Sequence, residues 1–355
     1  MRVSVREPAK FPADISKSLG YHHREHRCRV CPATTARLTI TEASQDSAPT
    51  VELLQGLGAT PRRIAFKYFY DAVGSRLFEN ILAQPEYYPA RVEQKLLTTH
   101  GRAMAEAIGP HQLIIEYGAG NAHKTEALLD HLVTPAGYVP IDIVPDQLER
   151  TASRLRDRYA TVDTWPLLAD FTQPFTLPAP AAGRYPRTAY FPGCTIWNLP
   201  ADAGRRLLAR IAQQVGPGGK MLIAVDHAKA PSVLELAYDD PAGATAAFNR
   251  NVLTHVNRLF DGNFDPTKFV HRAKWVPSKS RMEMSLVSLV DQVVTVSGRP
   301  FTLAKDTAIL TELSYKLTDA AFADLCSEVG FTRVCGWRDP GFDFSVELLT
   351  VTGRS

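Results

Sequence analysis

From residue 93 to residue 226 short apolar runs alternate with helical stretches, and each run stops beside a glycine or an acid. A helical stretch over 93–108 leads into the run 113–117 and then into Gly118-Ala119-Gly120. A helix over 123–131 precedes a strand over 138–143 that carries Asp142 at its end. The pattern repeats with a helix over 147–159, a short strand over 164–169 before Asp170-Phe171, a strand over 188–191 and a helix over 203–215. The turn Gly216-Pro217-Gly218-Gly219 opens a fifth strand, 220–225, which ends at Asp226. Strands separated by helices pair in parallel, because the crossover helix returns the chain to the same end of the sheet. The chain is therefore read as α/β with a Rossmann-like, doubly wound sheet. Ligands of such sheets sit at the carboxyl ends of the strands.

Residues 230–313 break this rhythm, with a long helical region over 232–260 and hairpin-like segments around 282–296. Residues 51–92 and 229–316 are expected to form an inserted α+β substrate-binding domain. Residues 93–228 and 317–355 are expected to form the domain that carries the sheet, closed over 319–351 by a helix and two strands with Gly341 at their turn.

The first 50 residues are polar and aperiodic, and a disordered extension is expected there. They contain His22, His23, His26, Cys28 and Cys31, all zinc-ligand types. The second Cys pair or distant His pair of a finger is missing, so an extension, or a start codon set too early, is preferred to a metal site. The five cysteines are too scattered for a disulfide framework, which fits a reducing cytoplasm. No apolar run approaches the roughly 18 residues that span a bilayer. A net charge of +3, from 40 basic and 37 acidic residues, gives no concentrated basic face for nucleic acid. A monomer acting on a small molecule, with no membrane or nucleic-acid partner, is expected.

The strand ends define a ligand. Glycines at 118 and 120 let a ligand approach the backbone closely. Asp142 stands about 20 residues further on, where a carboxylate reaches a ribose diol. Asp170 can accept from an adenine amine and Phe171 can stack on the base. Each acid alone is better explained as a helix cap, but three such features at successive strand ends are not. The third glycine of the dinucleotide fingerprint is absent. The expected cofactor is S-adenosylmethionine, with Lys124, one turn into the following helix, placed to reach its carboxylate.

Longer motifs narrow the reading. Phe69-Tyr70-Asp71-Ala72-Val73-Gly74-Ser75-Arg76-Leu77-Phe78 is followed by Pro85-Glu86-Tyr87-Tyr88-Pro89. Further on stand Gly193-Cys194-Thr195-Ile196-Trp197-Asn198-Leu199, then Tyr238-Asp239-Asp240 with Thr245-Ala246-Ala247-Phe248-Asn249, and Thr311-Glu312-Leu313-Ser314-Tyr315-Lys316. From about residue 51 to the C-terminus the chain resembles the histidine-specific methyltransferases of the ergothioneine pathway. The resemblance implies a class I methyltransferase sheet and three methyl transfers to the α-amine of L-histidine, giving hercynine, the first step of ergothioneine biosynthesis. It implies that Gly118, Lys124 and Asp142 hold the tail and ribose of the cofactor, and Asp170 and Phe171 its adenine. Carboxylate and amine contacts fall to Tyr70, Gly193, Asn198 and Tyr238. Tyr87, Glu312 and Ser314 read the imidazole, with Met284 packing nearby and Thr245 helping through water.

Tyr70 and Asn198 are the implied catalytic pair, because hydroxyl and amide groups orient an amine without adding a charge that repels a sulfonium. No metal is expected. Trp197 stands where the family usually has glycine, and Cys194 where serine is common. The Trp197 ring either narrows the pocket or points into the core. A relative acting on another amino acid's amine, or a silent cofactor-binding relative, is the alternative.

Overall fold

The computed structural model describes residues 48–352, so the expected N-terminal extension, apart from residues 48–50, which begin a helix, and its His/Cys patch lie outside the described residues. Helix α1 (Ala48–Gly58) and the two-residue strand β1 (Arg62–Arg63) come first, followed by α2 (Ala72–Leu82) and α3 (Tyr88–Ile108). The alternating region then supplies β2 (Leu113–Tyr117), α4 (His123–Leu129), β3 (Gly137–Asp142), α5 (Pro145–Arg158), β4 (Leu167–Leu168), β5 (Arg187–Phe191), α6 (Ala201–Val215) and β6 (Lys220–Asp226). Helices α7 (Pro231–Tyr238) and α8 (Ala244–Phe260) lead to five strands: β7 (Phe269–Val276), β8 (Arg281–Ser288), β9 (Gln292–Val296), β10 (Arg299–Leu303) and β11 (Ala308–Tyr315). Helix α9 (Asp319–Glu328), β12 (Phe331–Asp339) and β13 (Phe344–Val351) end the chain.

Seven strands form one sheet in the order β12-β13-β6-β5-β2-β3-β4. Strands β4, β3, β2, β5 and β6 run parallel, while β13 is antiparallel to both β6 and β12. The central strands are apolar without alternation because helices cover both faces; Leu113, Ile114 and Ile115 are completely buried. From β2 the chain first builds outward through β3 and β4, then returns to build through β5 and β6 on the other side. The carboxyl ends of β2 and β5 thus flank the switch point where the crossovers diverge and leave a crevice.

A second sheet has the order β1-β11-β8-β7, and β9 pairs only with β10. The hairpin-like segment around 282–296 is thus divided, since β8 joins β7 and β11 rather than β9. The helical region 232–260 is two helices, not one. Its break lies at Asp239–Gly243, where Gly243 turns to φ +74° and Asp240 caps α8 by accepting from Ala244 N (2.8 Å) and Thr245 N (2.7 Å). The short strand expected over 164–169 shrinks to Leu167–Leu168 with an isolated bridge at Thr164. Helix α3 starts at Tyr88, so the expected domain boundary at residue 92 falls inside a continuous helix. Among the described residues no helix is long and apolar enough to cross a membrane.

One motif proves to be architecture. Asp71 caps α2 by accepting from Gly74 N at 2.6 Å, and it also receives Asn251 Nδ2 (3.1 Å) and Arg258 (2.8 Å) from α8. Gly74 is required because a Cβ there would lie 1.8 Å from the Phe69 carbonyl oxygen. Gly74→Ala is expected to destabilise the fold by about 3 kcal/mol, since backbone rather than a flexible side chain must give way. Urea denaturation checks this, and an unchanged midpoint contradicts it.

Candidate active site

The crevice at the carboxyl ends of β2, β3 and β5 opens into one pocket that also reaches β8 and β11. The left-handed backbone at Gly118 (φ +77°) and Gly120 (φ +52°) turns the chain away after β2. The side chain of Asp142, at the end of β3, holds that turn. Its Oδ2 accepts from Gly120 N and its Oδ1 from Val144 N, both at 3.0 Å. Burial raises the Asp142 carboxyl, against the pull of these backbone donors. The carboxylate still has free lone pairs for a diol.

Just beyond β4, Asp170 Oδ1 accepts from Thr172 N (2.9 Å) and Oγ1 (2.5 Å), and Oδ2 accepts from Lys67 Nζ (3.0 Å). Burial pushes this carboxyl up, but Thr172 and the Lys67 ammonium outweigh it and hold the group below the ordinary range. Phe171 is packed edge-on against Phe191 and Tyr117. A Cβ on Gly118 would meet the Phe171 ring at 3.6 Å, so the bare glycine leaves this ring face open to a planar base.

A buried polar cluster lies beside Lys124 and Gly193. Glu93 of α3, 1% exposed, accepts from Gly193 N at 3.1 Å (Oε1) and 3.0 Å (Oε2) and from Lys124 Nζ. Gly193 has φ +77° and Cys194 φ +59°, so β5 ends in a tight left-handed turn that Glu93 pins from across the crevice. Glu116, at the end of β2, accepts from Thr125 Oγ1 and Tyr138 Oη, and burial pushes it up to about 8 despite both bonds. Nothing in the sequence pointed to Glu93, because it stands 100 residues from the glycine it bonds.

The far end of the pocket is aromatic. The Tyr70, Phe78 and Phe248 rings meet with centroids 5.7–6.0 Å apart, and Tyr87 lies edge-on to Phe78 (6.3 Å) and Tyr238 (6.2 Å). Burial above all keeps the Tyr70 and Tyr87 hydroxyls far from ionising, so at neutral pH they act as donors, not bases. Glu312 and Met284 are cross-strand partners of β11 and β8, beside a bulge between Leu310 and Glu312 that re-aims the side chain. Burial pushes Glu312 up to about 8, with the Lys316 ammonium pulling the other way.

The pocket is lined by Gly118, Lys124, Asp142, Asp170 and Phe171 and also by Tyr70, Tyr87, Gly193, Asn198, Tyr238, Thr245, Met284 and Glu312. Ser314 is the one candidate placed elsewhere. It is 2% exposed behind Tyr238, bonded to Tyr238 Oη (2.8 Å) and Lys316 Nζ (2.9 Å). Trp197 points into the core: it is 5% exposed, donates Nε1 to the Ala224 carbonyl at 2.8 Å and packs edge-on against Phe322. It therefore does not narrow the pocket beside Asn198. Asn249 of the motif is likewise internal. Its Nδ2 donates to His271 Nδ1 (2.7 Å), which leaves His271 Nε2 to donate to the Tyr238 carbonyl (2.9 Å). Burial lowers the pKa of His271, in keeping with that neutral tautomer.

Comparison with known proteins identifies the family. Histidine N-alpha-methyltransferase of Mycobacterium tuberculosis (strain CDC 1551 / Oshkosh) is 35% identical over 302 residues, covering 84% of this chain and 93% of the relative. The enzyme of the same name from Mycolicibacterium smegmatis is 35% identical over 298 residues, covering 82% and 92%. A 4-dimethylallyltryptophan N-methyltransferase of Claviceps fusiformis is 25% identical over 344 residues, covering 90% and 95%. With its Rossmann-like sheet and reversed β13, and matched over residues 49–351, the chain belongs to the histidine-specific, S-adenosylmethionine-dependent methyltransferase family.

Proposed function

We propose that the pocket binds L-histidine with its α-amine facing the cofactor's methyl group and its imidazole against Glu312, and that it transfers three methyl groups to give hercynine. The observation that carries this reading is one pocket lined both by Asp142, Asp170 and Phe171 beyond the strands of the large sheet and by a buried acid, Glu312, on β11. S-adenosylmethionine supplies an electrophilic methyl on a sulfonium, and transfer requires a neutral amine held in line at about 3 Å. Gly118, Lys124 and Asp142 hold the tail and ribose. Tyr70 and Asn198 orient the amine without adding charge, Gly193, whose N–H is given to Glu93, has its carbonyl left to accept from the amine, and Tyr238 takes the carboxylate. Tyr87, Met284 and Thr245 complete the wall around the ring. Each transfer makes the amine bulkier and, finally, permanently cationic. The aromatic faces of Tyr70, Phe78 and Phe248 tolerate both changes, because π faces attract alkylated ammonium groups and need no N–H donor.

Incubation of the protein with S-adenosylmethionine and histidine, read by mass spectrometry, should show a trimethylated product. The tryptophan-derivative relative makes a second substrate class specific enough to test in the same panel. Methylation of a tryptophan derivative but not histidine would sink the histidine reading, and cofactor binding without turnover would favour a silent relative. We place the protein in the cytoplasm as a monomer without nucleic-acid partners, on the strength of its scattered cysteines and balanced charge.

A further inference from the structure

Behind the pocket wall lies an ionic cluster that no step above uses. Lys316 and Asp226 are each 1% exposed and 2.6 Å apart. Asp226 also accepts from Tyr88 Oη at 2.7 Å and from Lys229. A buried charge pair is costly unless every donor is satisfied, and here each one is. The three N–H groups of Lys316 go to Asp226, to Tyr238 Oη (2.9 Å) and to Ser314 Oγ (2.9 Å). The last hydrogen bond of the group joins Tyr238 Oη and Ser314 Oγ at 2.8 Å, and either atom can donate it.

The direction of that bond decides what the pocket presents. Tyr238 lines the pocket, whereas Ser314 lies behind it. If Tyr238 donates to Ser314, its only proton points away from the ligand. If Ser314 donates, Tyr238 Oη accepts two bonds, one from an ammonium, and its own proton turns into the pocket. Accepting from a cation polarises a hydroxyl and strengthens it as a donor to an anion.

We propose that Lys316 is a positioning residue that acts through Tyr238, turning the phenolic proton into the pocket to bind the substrate's carboxylate. Ser314 is the relay in this arrangement, which differs from the imidazole contact implied by its motif. The inference rests on the amino-acid substrate proposed above and adds the device that recognises its carboxylate. Burial raises the Tyr238 hydroxyl and Lys316 opposes that rise, so the phenol stays a neutral donor.

The test compares L-histidine with histamine, which keeps the ring and amine but lacks the carboxylate. Both are titrated by calorimetry into full-length protein loaded with S-adenosylhomocysteine. Lys316→Gln is expected to weaken histidine about ten-fold more than histamine, the scale of one hydrogen bond to a charged group, since any change passed through Glu312, on which the Lys316 ammonium also acts, falls on the imidazole that both ligands carry. In a Tyr238→Phe background the same substitution should add nothing further. Equal weakening of both ligands, or an additive loss in the Tyr238→Phe background, overturns the proposal. If Lys316→Gln does not fold, Tyr238→Phe alone, which leaves the ion pair intact, must shrink the histidine-to-histamine ratio; an unchanged ratio overturns it equally. Failure of the unsubstituted protein to bind histidine overturns the substrate reading and this inference with it, and is distinguished by appearing before any substitution is made.

Discussion

Glu312→Ala should lower kcat/KM for histidine by about 10²-fold or more while leaving S-adenosylhomocysteine affinity within about two-fold. Removing one partner of a buried hydrogen bond costs about 1–3 kcal/mol, and a site built for a polar group rejects ligands it cannot pair by larger factors. The cofactor end is spared because Glu312 lies on β11, at the opposite end of the pocket from Asp142 and Asp170. Calorimetry with each ligand separately reads the split, and an unchanged histidine affinity refutes the assignment.

The same carboxyl makes a prediction about stability. Its pKa in the fold is about 8, against an ordinary 4.5. The native state therefore keeps a proton that the unfolded chain has already lost above about pH 5. Stability falls as pH rises through that window, by on the order of 2–4 kcal/mol by pH 8. Glu312→Gln removes this loss. It should melt several degrees above wild type at pH 8 and level with it near pH 4.5. A variant that is more stable yet poorer at using histidine would mark Glu312 as retained for binding rather than folding.

Glu93→Ala is expected to have the next largest effect, lowering kcat/KM for histidine by about 10²-fold even at saturating S-adenosylmethionine. Its buried carboxylate receives the Gly193 N–H and the Lys124 ammonium beside the pocket. Removal leaves both donors without that acceptor and frees the left-handed turn at Gly193–Cys194 that borders Asn198. Two charge-assisted bonds are lost, and about 2–3 kcal/mol of stability should go with them. Glu93→Gln, which keeps one acceptor oxygen, should fall between wild type and alanine. A kcat/KM equal to wild type in the alanine variant would show that the turn holds itself.

Much of this architecture was legible in the residues. Parallel pairing and the crevice follow from the alternation over 113–226, because crossover helices leave few ways to wind a sheet. Asp142, Asp170 and the glycines at 118 and 120 were visible because each ends a strand. The long helical region 232–260 was misread because its apolar spacing continues across the Asp239–Gly243 break, which is set by capping bonds from Asp240 rather than by hydrophobic period. The role of Trp197 was undecidable from its neighbours alone, since only a partner on another strand, the Ala224 carbonyl, draws the ring inward.

The alternation of elements over 113–226, and the candidate cofactor residues at the strand ends, were legible in the sequence itself, because local turns and hydrophobic runs depend on neighbours within a few positions. Only the tertiary structure decided that Glu93 meets Gly193, that Met284 faces Glu312, and that Lys316 reaches both Asp226 and Tyr238. These partners are separated by 28 to 100 residues, and a buried charge must find its counter-charge wherever packing brings one within reach.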